Sequence, residues 1–341
     1  MPSPSAATNT ATSSTQSRPQ TNQAAPSSTS SWTPKPIRIL FSHFPLQTLP
    51  ANQLPSRTLS LTSRKKHTLF IFTTACADDS SNAAQIPSFN PTCLKWQTYL
   101  LMRGIRFGIR PSNNHASPSG SLPFLTPSES PNSKEHNKST GIGKPIPAGS
   151  LQSWINQNSD STKLQGEDEA LILRESAFLS LLEHRVRPAW LHAFYLTANL
   201  YSLAAPLYIH STTTSGLLRT WQTAQLRTAA LAEVEKTVPK LDLEVLYHGA
   251  ESAFEALETA LGEGDWFFGR EQPGMLDAAV FGYTCLLSNQ RLGVEMDGKW
   301  SEEETSQRLR GVIHRFKRLR DHQARVSDRY FSMSKTGSQK V

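Results

Sequence analysis

Apolar positions recur at helical spacing through Cys93, Trp96, Leu100 and Leu101, then switch to alternation at Ile105, Phe107 and Ile109. The first pattern predicts a short helix after Asn90, ended by Gly104, and the second a strand. His67–Thr73 (HTLFIFT) reads as a buried strand, followed by a polar loop over Ala77–Pro87. A second polar loop returns through Leu122-Pro123 into an apolar strand, and a proline at that entry can adopt a cis bond. Ser128–Gly143 is polar and reads as a surface insertion. Lys144–Ala148 supplies a last strand, and Leu151–Gln157 a helix beneath it. From Glu167 the period is helical. It predicts Glu167–Val186, with acids first and Arg185 and Arg187 last as the helix dipole favours, then broken by Pro188. It goes on to predict Leu217–Val238, Leu243–Leu261, the apolar Gly274–Asn289, and Glu302–Tyr330 with Leu309, Val312, Ile313, Phe316, Leu319 and Val326 on one face.

These elements divide the 341 residues into a disordered leader over 1–36, an extended arm over 37–66 and an α+β region over 67–157. A linker over 158–165, an all-α region over 166–331 and a tail over 332–341 complete the chain. The leader is rich in Ser, Thr, Pro, Ala and Gln and has little to bury. It shares its lack of acids with transit peptides, but has too few arginines and apolar residues for an amphipathic helix, so a disordered tail is the preferred reading. Charge sharpens this division. The first acidic residue is Asp78, and the seven basic residues before it account for the whole net charge of +7. The remainder is balanced, which disfavours a basic nucleic-acid groove.

Candidate chemistry is sparse. Cys76, Cys93 and Cys285 form neither a metal set nor a disulfide framework, and His184 and His192 have no third ligand nearby. P-loop and dinucleotide-binding fingerprints are absent. No metal or other cofactor is expected. Pro188–Leu218 contains no Asp, Glu, Lys or Arg. Its Asn, Thr, Ser and three tyrosines suit a core helix first, an interface-lying helix second and a membrane span least. Asp277 stands three residues after Gly274, as the acid of a capping box whose usual Ser or Thr is missing, and reads as a structural cap. On the last predicted helix Arg310, His314, Lys317, Arg318 and Arg325 share one face. It is read as a solvated basic face, or as a contact for anionic headgroups or acidic loops.

Strand, helix, strand and a proline-entered strand form the thioredoxin-like half of the glutathione-transferase architecture. DWFFG leading into PGMLDAAVFGYTCLL resembles its helical half. With CLKWQTYLLMRGIRF, SPSGSLPFL, DEALILRESAFLSLLEHRVRPAWLHAFYL and RDHQARVSDRYF, the chain resembles the metaxins, transferase-like proteins of the mitochondrial outer membrane. FSHFPL, FNPTCLKWQTYL and the Ser/Pro-rich leader, with no tail anchor after Phe331, look like the smaller fungal metaxin-like subunit of the sorting and assembly machinery. The resemblance implies a peripheral subunit on the cytosolic face of the outer membrane. Its partners would be the β-barrel core subunit, a second metaxin-like subunit and β-barrel precursors, whose β-signal it would help receive.

The alternative is an active thiol-conjugating transferase. Cys- and Ser-type relatives place the nucleophile just before the proline of the first strand–helix turn, where this chain has Asn90. An amide is no nucleophile. Cys93 lies within reach of the helix dipole, but a buried small core residue is the preferred reading. Gly149-Ser150 offers no acid where a glutamyl-binding acid–serine pair is expected. Leu122, Pro123 and Phe124 would present the backbone edge that in the family pairs with glutathione. Here that edge could instead take up an extended peptide by strand addition, or merely shape a turn.

Overall fold

The computed structural model describes residues 66–73, 83–128, 144–159, 169–210, 212–238, 240–289, 291–292 and 298–331. The leader, most of the arm, Cys76, the 128–143 insertion beyond Ser128, the linker beyond Ser159 and the tail lie outside the described residues.

The α+β region carries β1 (His67–Ile71), α1 (Pro91–Met102), β2 (Phe107–Pro111), β3 (Phe124–Thr126), β4 (Ile146–Pro147) and α2 (Ala148–Asn158). The sheet order is β2-β1-β3-β4, with β1 parallel to β2 and antiparallel to β3. The register sets Leu69 against Ile109 and Leu125, so the alternating positions of all three strands bury one face. Helix α1 begins at Asn90, whose side chain accepts from Cys93 N–H, and Pro91 fills the first helical position, where no donor is needed. It ends at Gly104, where Gly104 and Ile105 N–H return to Leu101 and Leu100 carbonyls. The Leu122-Pro123 peptide bond is cis. The chain is thus a thioredoxin-like region followed by an all-α region.

The helical region consists of α3 (Glu169–Leu181), α4 (Arg187–Tyr195), α5 (Gly216–Glu235), α6 (Leu243–Leu261), α7 (Met275–Ser288), α8 (Glu304–His314) and α9 (Lys317–Tyr330). A short two-stranded ribbon pairs β5 (Arg291–Leu292) with β6 (Gly298–Lys299). Two expectations are corrected here. Pro188 does not end a helix. A π turn over Leu182–Val186 leads straight into α4, with Pro188 in its first turn. The widened turn shifts the hydrogen-bond ladder, so the missing proline donor falls where a new helical segment begins. Nor is Glu302–Tyr330 one helix. It breaks at Phe316, which leaves helical geometry (φ −95°, ψ 88°) with its ring 6.2 Å from Phe254. Burying that ring outweighs continuing the ladder.

Pro188–Leu218 is mostly core. Trp190, Ala193, Phe194, Leu200, Leu203 and Leu207 are buried, and among the described residues no helix is long and apolar enough to cross a membrane. Helix α7 is buried all round, as expected for a central helix. It joins the two cores: Met275 and Ala278 pack with the sheet, while Leu276, Val280 and Phe281 pack with the helices. Gly282 is required at the α1–α7 crossing, because a Cβ there would lie 2.8 Å from the Pro91 carbonyl oxygen.

Candidate functional site

The strand–helix turn, where a transferase would hold its thiol, is built as a cap and a seal. Asn90 Oδ1 accepts from Cys93 N–H (3.1 Å) and Asn90 Nδ2 donates to the Tyr208 hydroxyl (3.0 Å). Both ends of the amide are therefore used. Tyr208 also stands edge-on to Phe72 and Phe89, each 4.9 Å away between ring centres. It comes from the uncharged stretch of the helical region, 118 residues away, and no local signal marks it. The Cys93 side chain is fully buried, and loss of water pushes its thiol up to about 12. Burial does the same to Tyr195, pushed up to about 12, and raises Tyr208 well above the ordinary phenol range. The turn thus holds neither a thiolate nor a phenolate at neutral pH.

Leu122, Pro123 and Phe124 are all buried. Leu122 N–H donates to Asn114 Oδ1 (3.0 Å), and Phe124 stacks on Phe70 at 4.4 Å. Strand β3 pairs with β1 on one side and β4 on the other. Of the two readings of this segment, strand addition and turn-shaping, these contacts favour turn-shaping. Phe124 lies inside the sheet and the Leu122 N–H is already satisfied, so neither that strand position nor that donor is free for strand addition.

Beside this turn, a cleft of about 130 Å³ lies among α1, α3 and α7, lined in part by Thr92, Lys95, Trp96, Glu183 and Tyr283. Loss of water lowers the Lys95 ammonium pKa, and the Glu183 carboxylate works against that shift. Lys95 Nζ stands 5.1 Å from the Trp96 ring centre. Lys95 is the one charged residue in the α1 sequence PTCLKWQTYLLM, which is the signal sequence reading passed over.

Asp277 is fully buried and has three donors around it. Gly274 N–H reaches Oδ2 at 2.8 Å, Phe267 N–H reaches Oδ1 at 3.2 Å, and His322 Nε2–H donates to Oδ1 at 2.9 Å. The start of α7 holds a second carboxylate that the sequence did not reveal. Glu175, from α3, accepts from Leu276 N–H (3.0 Å) and from Arg270 (3.0 Å). A Cβ at position 274 would lie 2.5 Å from Arg270 Nη1 and 2.9 Å from Glu175 Oε1. This ion pair occupies the space of a Ser or Thr side chain, which accounts for the glycine at the cap.

The basic face of the last predicted helix is corrected as well. Arg310 is only 7% exposed. Its Nε donates to the Leu287 carbonyl in the last turn of α7 (2.8 Å), Nη1 donates to Gln307 (3.0 Å), and its guanidinium lies 5.5 Å from the Trp300 ring. It caps a helix C-terminus, where a cation suits the dipole. The helix break at Phe316 separates it from Lys317 and Arg318. Lys317 pairs with Asp321 (2.6 Å), Arg318 stands 3.9 Å from Glu263, and Arg325 pairs with Asp265 (3.1 Å). The exposed cations are answered by the chain's own acids, and His314 is held below its usual pKa by burial and by Arg310 and Arg320. No group of His, Cys, Asp and Glu fit to hold a metal ion occurs among the described residues.

A glutathione S-transferase N-terminal domain model matches residues 91–200, and a glutathione S-transferase C-terminal domain model matches residues 250–326. The chain is 28% identical to metaxin-3 of Xenopus laevis over 220 residues, covering 61% of this chain and 64% of that protein. It is 27% identical to metaxin-1 of Macaca fascicularis over 216 residues, covering 61% and 63%. The match therefore spans less than two thirds of these relatives' lengths. Among solved structures it is similar to glutathione transferase Omega 2S from Trametes versicolor, at 15% identity and a TM-score of 0.42, covering 77% of this chain and 87% of that one.

Proposed function

Because this chain belongs to the glutathione-transferase-like metaxin family, we propose that it is a non-catalytic, peripheral subunit of the sorting and assembly machinery of the mitochondrial outer membrane. In that role it faces the cytosol, matches the smaller fungal metaxin-like subunit, and joins the β-barrel core subunit and a second metaxin-like subunit in receiving β-barrel precursors. The observation that carries the non-catalytic part is the sealed turn. Asn90 stands where the nucleophile belongs and spends both ends of its amide on Cys93 N–H and Tyr208. Cys93 itself is buried, with its thiol pushed up to about 12. A glutathione thiol brought to this turn would find an amide already committed to Cys93 N–H and Tyr208 in the position of the nucleophile.

Affinity purification of the tagged chain from outer membranes tests the assignment. Recovery of a β-barrel assembly subunit, slowed β-barrel assembly on depletion, and full rescue by Cys93→Ser are expected. A soluble homodimer that conjugates glutathione, with turnover lost in Cys93→Ser, would overturn it.

A further inference from the structure

Helix α5 shows an apolar surface to water. Of its 20 residues only Thr223, Ala230 and Val234 are buried. Its first turns expose Leu217 at 87%, Trp221 at 53% and Leu218 at 51%. Helical spacing puts Leu217, Trp221, Ala224 and Thr228 on one outward stripe, with Leu218 on one flank and Arg227 on the other, all of them exposed. Arg219 turns inward, its Nε donating to the Thr213 carbonyl (2.7 Å) and Nη2 to the His210 carbonyl (3.2 Å). These bonds tie the preceding loop to the helix and hold the apolar turn outward. A contiguous exposed patch of this kind marks a contact surface.

Charge identifies what covers it. From Pro188 to Ala232 the sequence contains no Asp or Glu, and Arg219 and Arg227 are its only Lys or Arg. The other polar groups around the stripe are uncharged: hydroxyls, including Thr213, Ser215, Thr220 and Thr228, and the amides of Gln222 and Gln225. The acids of α5 come at its far end. Glu233 is held there by Arg187 and Lys236, roughly 18 Å along the axis from Trp221. A basic protein surface would find no carboxylate on this stretch of chain to pair with. A layer of anionic headgroups would meet an arginine, hydroxyls, amides and an indole, with no carboxylate from this stretch of chain to repel it, and Leu and Trp side chains are the residues that enter that layer.

We infer that the N-terminal end of α5 docks on an anionic phospholipid bilayer, with Leu217, Leu218 and Trp221 entering the headgroup boundary and Arg227 drawn by the net negative charge of the anionic headgroups. This deepens the membrane-surface part of the function proposed above, but it is read on purified chain and lipid alone. In flotation with vesicles of equal parts phosphatidylcholine and phosphatidylserine, the full chain floats. The double substitution Leu217→Ser, Trp221→Ser lowers the bound fraction roughly tenfold or more, which is the expected scale for removing two buried apolar side chains. Arg227→Gln weakens binding to the mixed vesicles and leaves binding to pure phosphatidylcholine unchanged. Val245→Ser, at a position 53% exposed on α6, changes neither. Unchanged thermal unfolding of the variants shows that the fold is intact. A wild-type chain that stays out of the mixed vesicles, or a double variant that floats as well as wild type, overturns the inference. Loss of a co-purifying protein from the double variant with vesicle binding unchanged would make this a protein-docking face and overturn it equally. Vesicle binding by a chain whose depletion leaves β-barrel assembly untouched would remove the assembly reading alone.

Discussion

Asp277→Ala separates an ordinary helix cap from what the tertiary structure has built. A solvent-facing cap is worth about 1 kcal/mol, up to roughly 2. Asp277 is fully buried and answers three donors: the N–H groups of Gly274 and Phe267, and His322 Nε2. His322 is also fully buried, with Trp266 and Phe267 edge-on to its ring at 5.9 and 5.5 Å, and its Nδ1 already lacks a partner. Truncation to Ala strands all three donors, and each unsatisfied buried group costs about 1–3 kcal/mol. Allowing for relaxation and non-additivity, the expected loss is about 4 kcal/mol, a large part of the roughly 5–15 kcal/mol that holds a domain together. Urea unfolding followed by circular dichroism measures it. His322→Phe should cost less, since Gly274 and Phe267 N–H keep their acceptor. In the Asp277→Ala background it should cost little or even restore stability, giving a coupling of about 1–3 kcal/mol in the double-mutant cycle. A loss of 1 kcal/mol or less for Asp277→Ala, with no coupling to His322, would refute the buried-network account and return Asp277 to a simple cap.

Three further outcomes are expected. His192 is buried beside Tyr247, 2.9 Å from its hydroxyl, and desolvation with Arg308 and Arg227 holds its pKa down to about 4. The unfolded chain takes up that proton near pH 6.5 and the folded chain resists it, so stability is full above about 6.5 and falls as pH drops towards 4, by about 3 kcal/mol at most. His192→Gln should flatten that part of a urea-midpoint-against-pH curve, and an unchanged slope would count against neutral burial. Gly282→Ala forces a Cβ against the Pro91 carbonyl and should cost about 1–3 kcal/mol. Gly311→Ala has open space on α8 and should stabilise by up to about 1 kcal/mol, so equal melting shifts of the two would contradict the tight α1–α7 crossing. Arg310→Glu sets a carboxylate against the Leu287 carbonyl and should cost about 3–5 kcal/mol. Lys317→Glu, at an exposed pair, should cost under about 1 kcal/mol, and similar losses would restore the solvated-face reading of Arg310.

What depends on neighbours along the chain was legible in the sequence. The α1 boundaries follow from Asn90, Pro91 and Gly104, because caps and turn residues act within a few positions. Alternation at Phe107 and Ile109, and the all-round apolar α7, marked strand and central helix, because burial imprints its period on the side chains. The place of Asp277 before an apolar run identified it as an acceptor for Gly274, because that bond spans only three residues. The partners that complete each feature come from distant parts of the chain and are set by packing. Tyr208 reaches Asn90 across 118 residues, Glu175 reaches Leu276 across 101, and His322 reaches Asp277 across 45. Periodicity placed Arg310 on a polar face because it counts charge as exposure. The fold instead set the Leu287 carbonyl within reach, and a buried guanidinium with acceptors is stable where an unpaired one is not. Pro188 and Phe316 misled in opposite directions for one reason. Local propensity sets where a helix prefers to stop, but the packing of Trp190, Phe194 and Phe254 around a shared core decides where it can.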